Sequence, residues 1–122
     1  MQLVSDRSLR FYTEVLGMKG EVKWNTGAYT TLDSLWFCLS LGEVKPSKDY
    51  SHIAFTIATD KFDVFRQLIT KHNMKQWQDN TSEGNSLYIL DPDGHKLEIH
   101  CGNLTSRLLS LKRSPYQGLE YL

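Results

Sequence analysis

Lys96, Glu98 and His100 alternate with Leu97 and Ile99 along the segment that closes on Cys101. In an extended strand, side chains two residues apart share a face, so this carboxylate and imidazole point the same way. Just upstream lies Ser82-Glu83-Gly84-Asn85-Ser86, a loop rich in small oxygen-bearing residues. Carboxylate, imidazole and clustered oxygens are the groups that form a metal-and-anion site. The same alternation also describes an amphipathic strand with one solvated side, and spacing alone leaves both readings open. Asp91-Pro92-Asp93-Gly94 supplies the turn ahead of this strand: the proline presets its φ and Gly94 tolerates the left-handed region that closes a hairpin.

These residues must be carried by a small body. The chain has 122 residues, enough for one domain at the low end for a generous core. Lys plus Arg and Asp plus Glu each number 14, so the formal net charge is zero and the basic footprint of a nucleic-acid binder is missing. No apolar run approaches the roughly 18 residues of a membrane span. No charged-then-apolar leader opens the chain. Cys38 and Cys101 have neither CxxC spacing nor the density of a secreted disulfide scaffold, so a reduced cytoplasmic setting is expected. Cys38 falls within Leu-Trp-Phe-Cys-Leu, where a buried, inert thiol is expected.

The chain reads as two similar halves. Residues 6 to 16 carry Leu9, Phe11, Tyr12, Val15 and Leu16 at helical spacing behind capping side chains, and Gly17 stops the helix. Strands are expected over 21–24, 28–32 and 35–41, with short hairpin turns between them, and 42–49 reads as an exposed loop. The second half offers a strand over 51–58 and a helix over 60–72, capped by Asp60, with Phe62, Phe65, Leu68 and Ile69 as its stripe. Strands over 74–78, 87–90 and 95–101 follow, and then a tail with a short helical segment. The expectation is a single α+β domain over 1–122. Module one covers about 1–42, module two about 50–101 and the tail 102–122, with the first strand of module one missing or reduced to residues 2–4. A repeat of that size suggests paired modules around a shared cleft.

Paired βαβββ modules with His and Glu on inward strand faces resemble the vicinal oxygen chelate superfamily, the glyoxalase, bleomycin-resistance and dioxygenase group. Within it, this chain resembles the fosfomycin-inactivating glutathione transferases. The matching stretches are F-Y-x-x-V-L-G-M at 11–18, W-x-x-G-A-Y at 24–29, S-L-W-F-C-L-S at 34–40 and D-Y-S-H-I-A-F at 49–55. They continue with N-T-S-E-G-N-S-L-Y-I-L-D-P-D-G-H-K-L-E-I-H at 80–100, G-N-L-T-S-R-L at 102–108 and P-Y-x-G at 115–118. The resemblance implies His52 and Glu98 as metal ligands, for Mn²⁺ or another divalent cation acting as a Lewis acid on the epoxide oxygen. It implies Arg107 as the phosphonate-binding residue, with Tyr88 and Ser82 completing the catalytic group. Trp36, Tyr29 and Tyr50 match aromatics lining the substrate pocket or the thiol's approach. Asn80, Ser82, Gly84 and Ser86 match a loop that holds K⁺. The implied substrates are fosfomycin and glutathione, and the implied assembly is a homodimer. His95, His100 and Asp93 read as strand and turn residues, not ligands.

Two departures accompany the resemblance. Family members begin with a strand of the form N-H-L-T-L, whose His is a third metal ligand, and no such strand precedes Ser5-Asp6 here. A lysine that the family directs at the phosphonate aligns with Gln78. Losing such electrostatic partners is expected to cost about 10² to 10³ in rate each. Two alternatives therefore stand beside the transferase: a catalytically incomplete binding protein of the same fold, and another metal-dependent enzyme of the superfamily.

Overall fold

The computed structural model describes residues 6–80 and 84–122; the expected remnant strand at 2–4 and Ser82 lie outside them. Two compact units emerge, residues 1–51 with 90–96, and residues 52–89 with 97–122. The architecture is α+β, with two sheets.

In the first unit, helix α1 (Asp6–Arg10) passes into a π-helical turn over Phe11–Val15, where the sequence predicts uninterrupted α-helix to residue 16. The Leu16 N–H donates to the Phe11 carbonyl five residues back at 3.0 Å. This wider turn places Phe11 and Tyr12 side by side in the core, each 3 % exposed, their rings edge to face. Gly17 ends the segment at φ +77°, as a left-handed stop requires.

Strands β1 (Lys19–Trp24), β2 (Gly27–Leu32) and β3 (Leu35–Ser40) form an antiparallel meander in that order. Ala28 and Thr30 are fully buried on one face, while Trp24, Trp36 and Cys38 are exposed. Cys38 thus departs from the expected buried thiol. It pairs with Tyr29 across the sheet while its neighbours Phe37 and Leu39 are the half-buried ones, so alternation turns the thiol outward.

The hairpin turn also belongs to this unit, and it is built around Asp91. One carboxylate oxygen of Asp91 accepts from the Asp93 and His95 backbone N–H groups at 2.9 and 2.8 Å. The other accepts from the buried Tyr12 hydroxyl at 2.6 Å. Ser8 donates to Asp93 at 2.9 Å, and Arg7 donates to the Pro92 carbonyl at 3.1 Å. Asp-Pro-Asp-Gly is therefore a turn and a docking point for α1 together.

The second unit runs β4 (Ile53–Ile57), α2 (Thr59–Lys71), β5 (Gln76–Gln78), β6 (Ser86–Leu90), β7 (Lys96–Cys101) and α3 (Leu104–Arg113), with the end residues Leu90 and Lys96 counted in the first. Its first five elements are a βαβββ module with sheet order β4-β7-β6-β5. Helix α2 buries Phe62, Phe65 and Ile69, the predicted stripe. Its cap differs from expectation: the helix starts after Ala58 with no side-chain cap, and Asp60 sits inside the first turn, where its charge meets the helix dipole. Leu97 and Ile89, each 0 % exposed, fill the core side of the central strands.

Candidate functional site

Parallel pairing of β4 with β7 sets the site. The register places Ala54 beside Glu98 and Thr56 beside His100, so His52, immediately before β4, arrives at the same edge as Glu98. His52 Nε2 lies 3.1 Å from Glu98 Oε1. A cation bound at about 2.1 Å by a nitrogen and an oxygen at a right angle would hold those atoms about 3 Å apart. The pair therefore fits the implied metal by donor chemistry and by spacing. Among the described residues no third His, Cys, Asp or Glu joins them in a metal-binding group.

Glu98 is 8 % exposed, and a buried carboxylate must be compensated. Ser86 on β6 supplies part of this, donating from Oγ to Glu98 Oε2 at 3.0 Å. The same Oγ is in short contact with His100 Nδ1. His100, read from sequence as a strand residue, is thus buried beside the carboxylate, its Nδ1 3.6 Å from Oε2.

An aromatic wall stands beside His52. Trp77 meets the imidazole at 5.2 Å between ring centroids and Tyr88 meets it at 6.1 Å, while the two aromatics meet each other at 5.3 Å, all edge to face. The Trp77 indole N–H donates to the Leu97 carbonyl at 3.1 Å, which anchors the ring on the strand that carries Glu98. Sequence reasoning passed over Trp77; its only signal was an aromatic in a short polar strand.

A cavity of about 270 Å³ opens in the same unit, lined by Ala54, Thr56, Glu98, His100, Leu104 and Arg107, among others. That volume suits a small anion more than a drug-sized ligand, which takes about 300–1,000 Å³. Arg107 reaches it from the second turn of α3. The helix is started by a reciprocal cap in which Asn103 accepts from the Ser106 N–H and Ser106 Oγ from the Asn103 N–H, each at 2.9 Å.

The predicted potassium loop is described in part. Asn80 Nδ2 donates to the Gly84 carbonyl at 2.8 Å, and the Cys101 N–H donates to the Asn85 carbonyl at 2.8 Å. Gly84 sits at φ +72°, where a Cβ would come within 2.8 Å of the Cys101 carbonyl. Tyr29 and Trp36 belong to the first unit, their rings edge to face at 5.0 Å, with Trp24 on the other side of Tyr29 at 4.8 Å. Tyr50 lies in the same unit and is 60 % exposed. Gln78 ends β5.

Residues 5–99 match the family model of the glyoxalase/bleomycin resistance protein/dioxygenase superfamily. The glutathione transferase FosA of Serratia marcescens is 43% identical over 97% of this chain and 89% of its own length. The metallothiol transferase FosB of Lysinibacillus sphaericus is 37% identical over 84% of this chain and 78% of its own. Among solved structures, the fosfomycin resistance protein FosX of Listeria monocytogenes, in complex with Mn(II) and sulfate, superposes with a TM-score of 0.75 at 25% identity, covering 88% of this chain and 86% of that one.

Proposed function

Because this chain belongs to the glyoxalase/bleomycin resistance protein/dioxygenase superfamily, and within it to the fosfomycin-resistance transferases, we propose that it adds glutathione to the epoxide of fosfomycin. The observation that carries the reading is the His52–Glu98 pair, 3.1 Å apart in a unit with a cavity lined in part by Glu98 and Arg107.

His52 and Glu98 would hold Mn²⁺, which when bound supplies Lewis acidity to the epoxide oxygen. Arg107 presents a planar fork of donors that suits a doubly charged tetrahedral phosphonate. Tyr88 and Trp77 pack edge to face against the imidazole and limit its rotation. The thiolate sulfur forms a bond to the epoxide carbon next to the phosphonate; that carbon's bond to oxygen breaks, and the oxygen takes up a proton to become a hydroxyl. Tyr88 and Ser82 serve the substrate pocket. Tyr29, Trp36 and Tyr50 serve substrate or thiol, and Asn80, Ser82, Gly84 and Ser86 form the potassium loop. The working assembly is a homodimer.

The identity to FosA, a glutathione transferase by name, supports glutathione as the thiol. The Mn(II) bound by the FosX relative supports manganese. A second reading, a binding protein that sequesters a small anion, is favoured by one observation: among the described residues only two metal donors converge. Incubating the protein with Mn²⁺, fosfomycin and glutathione, and following the adduct by phosphorus NMR, separates the two. Adduct above background, lost in His52→Ala, supports the transferase; fosfomycin binding without adduct supports the sequestering protein.

A further inference from the structure

Ser86 and His100 are each 8 % exposed, and the proposed chemistry gives their side chains no task at the reacting atoms. Ser86 Oγ is 3.0 Å from Glu98 Oε2 and in short contact with His100 Nδ1. A serine hydroxyl has one proton to give, and an ionised carboxylate only accepts. That proton therefore belongs to Oε2. Oγ must then accept from His100, which requires the imidazole to carry its hydrogen on Nδ1.

We propose that His100 and Ser86 are positioning residues for Glu98, joined in a directed chain from His100 Nδ1–H to Ser86 Oγ–H to Glu98 Oε2. The chain fixes one carboxylate oxygen so that the other, Oε1, faces His52. Glutamate carries three side-chain torsions, and an untethered carboxylate would spend much of its time elsewhere. Tying Oε2 from the adjacent strand removes that freedom before any ligand arrives. Glu98 and His100 are two residues apart on β7, and Ser86 opens β6, so all three ride on neighbouring central strands instead of a loop. Gly84 closes the arrangement: a Cβ there would stand 3.4 Å from His100 Cε1, so the loop passes directly over the imidazole. Hydrogen-bonded partners of this kind are worth about 10- to 100-fold in metal affinity.

The functional consequence rests on Glu98 being a metal ligand, so the test has two arms. In the metal-free protein, ¹⁵N NMR of the histidine side chains should show His100 with its hydrogen on Nδ1. A neutral His100 with its hydrogen on Nε2 overturns the chain, whatever the metal does. In the second arm, Mn²⁺ is titrated calorimetrically into unmutated protein, Ser86→Ala, His100→Phe and His100→Asn. His100→Phe should weaken uptake about 10- to 100-fold, and His100→Asn, whose amide N–H stands near the Nδ1 position, should recover most of it. Equal affinity in unmutated protein and His100→Phe, both folded by circular dichroism, sinks the positioning role and leaves the metal pair standing. No Mn²⁺ uptake by the unmutated protein instead sinks the metal reading, and the NMR arm alone then decides the chain. Ser86→Ala with and without potassium separates the relay from the ion loop: loss in both conditions supports the relay, and loss only with potassium overturns it.

Discussion

Glu98 accepts from Ser86 through one oxygen and meets His52 through the other, so its charge and its shape can be removed separately. Glu98→Gln keeps the shape and the acceptor facing Ser86. It should retain fold by circular dichroism yet lose calorimetric Mn²⁺ uptake, as should His52→Ala. Arg107 offers a different separation. Arg107→Lys keeps the charge but loses the two-pronged donor, and hydrogen bonds to charged groups are worth about 1.5–3 kcal/mol. Its expected signature is a KM for fosfomycin raised about 10- to 100-fold, measured by initial rates, with a smaller change in KM for glutathione. Gly84 is a residue whose value lies in what it lacks. Gly84→Ala forces a methyl toward the Cys101 carbonyl at a left-handed φ, and should lower stability by about 1–3 kcal/mol in urea unfolding.

The elements show where sequence was readable and where it was not. Apolar periodicity marked α2 and β2, because each buries one face and that pattern is local, while β1 and β3 were marked by the turn residues between the strands. The π-turn at Phe11–Val15 was invisible, since the residues that reward it, Tyr12 and Asp91, stand 79 positions apart. Asp91 read only as a turn former for the same reason. The approach of His52 to Glu98 was legible through the family motifs, whereas Trp77 and the Ser86–His100 contact depend on strand pairing that no local pattern encodes. The α1 anchor carries its own prediction. Burial first, then the Asp91 hydrogen bond, pushes the Tyr12 phenol above its ordinary value near 10. A raised folded value means stability present below the unfolded pKa and lost as pH rises above it. Denaturant titrations should thus show the unmutated protein weakening above about pH 10 more steeply than Tyr12→Phe. At neutral pH the variant should be less stable by about 1–3 kcal/mol, because Asp91 loses a buried donor.

At the scale of the molecule, the described residues include no helix long and apolar enough to cross a membrane. They do include exposed apolar groups on the meander, Val22, Trp24 and Trp36, and on the tail, Leu104, Leu109 and Tyr121. Such surface favours the proposed homodimer. Sedimentation equilibrium should return twice the chain mass, and a monomer at micromolar concentration would remove that proposal. The donor count makes a further demand of the assembly. With His52 and Glu98 as the proposed metal donors and no group of three among the described residues, a variant extended by a strand bearing one more imidazole should bind Mn²⁺ more tightly by calorimetry. Parallel pairing of β4 with β7 has a last consequence, for tolerance to change. His52 and Glu98 are 46 positions apart in the chain, yet the ladder alone decides that they meet. Lengthening the connection after α2 should leave the metal pair intact. Deleting one residue between His52 and Ala54 shifts the imidazole by a step and turns it to the opposite side, so a single lost codon there would silence the protein while leaving every ligand in its sequence.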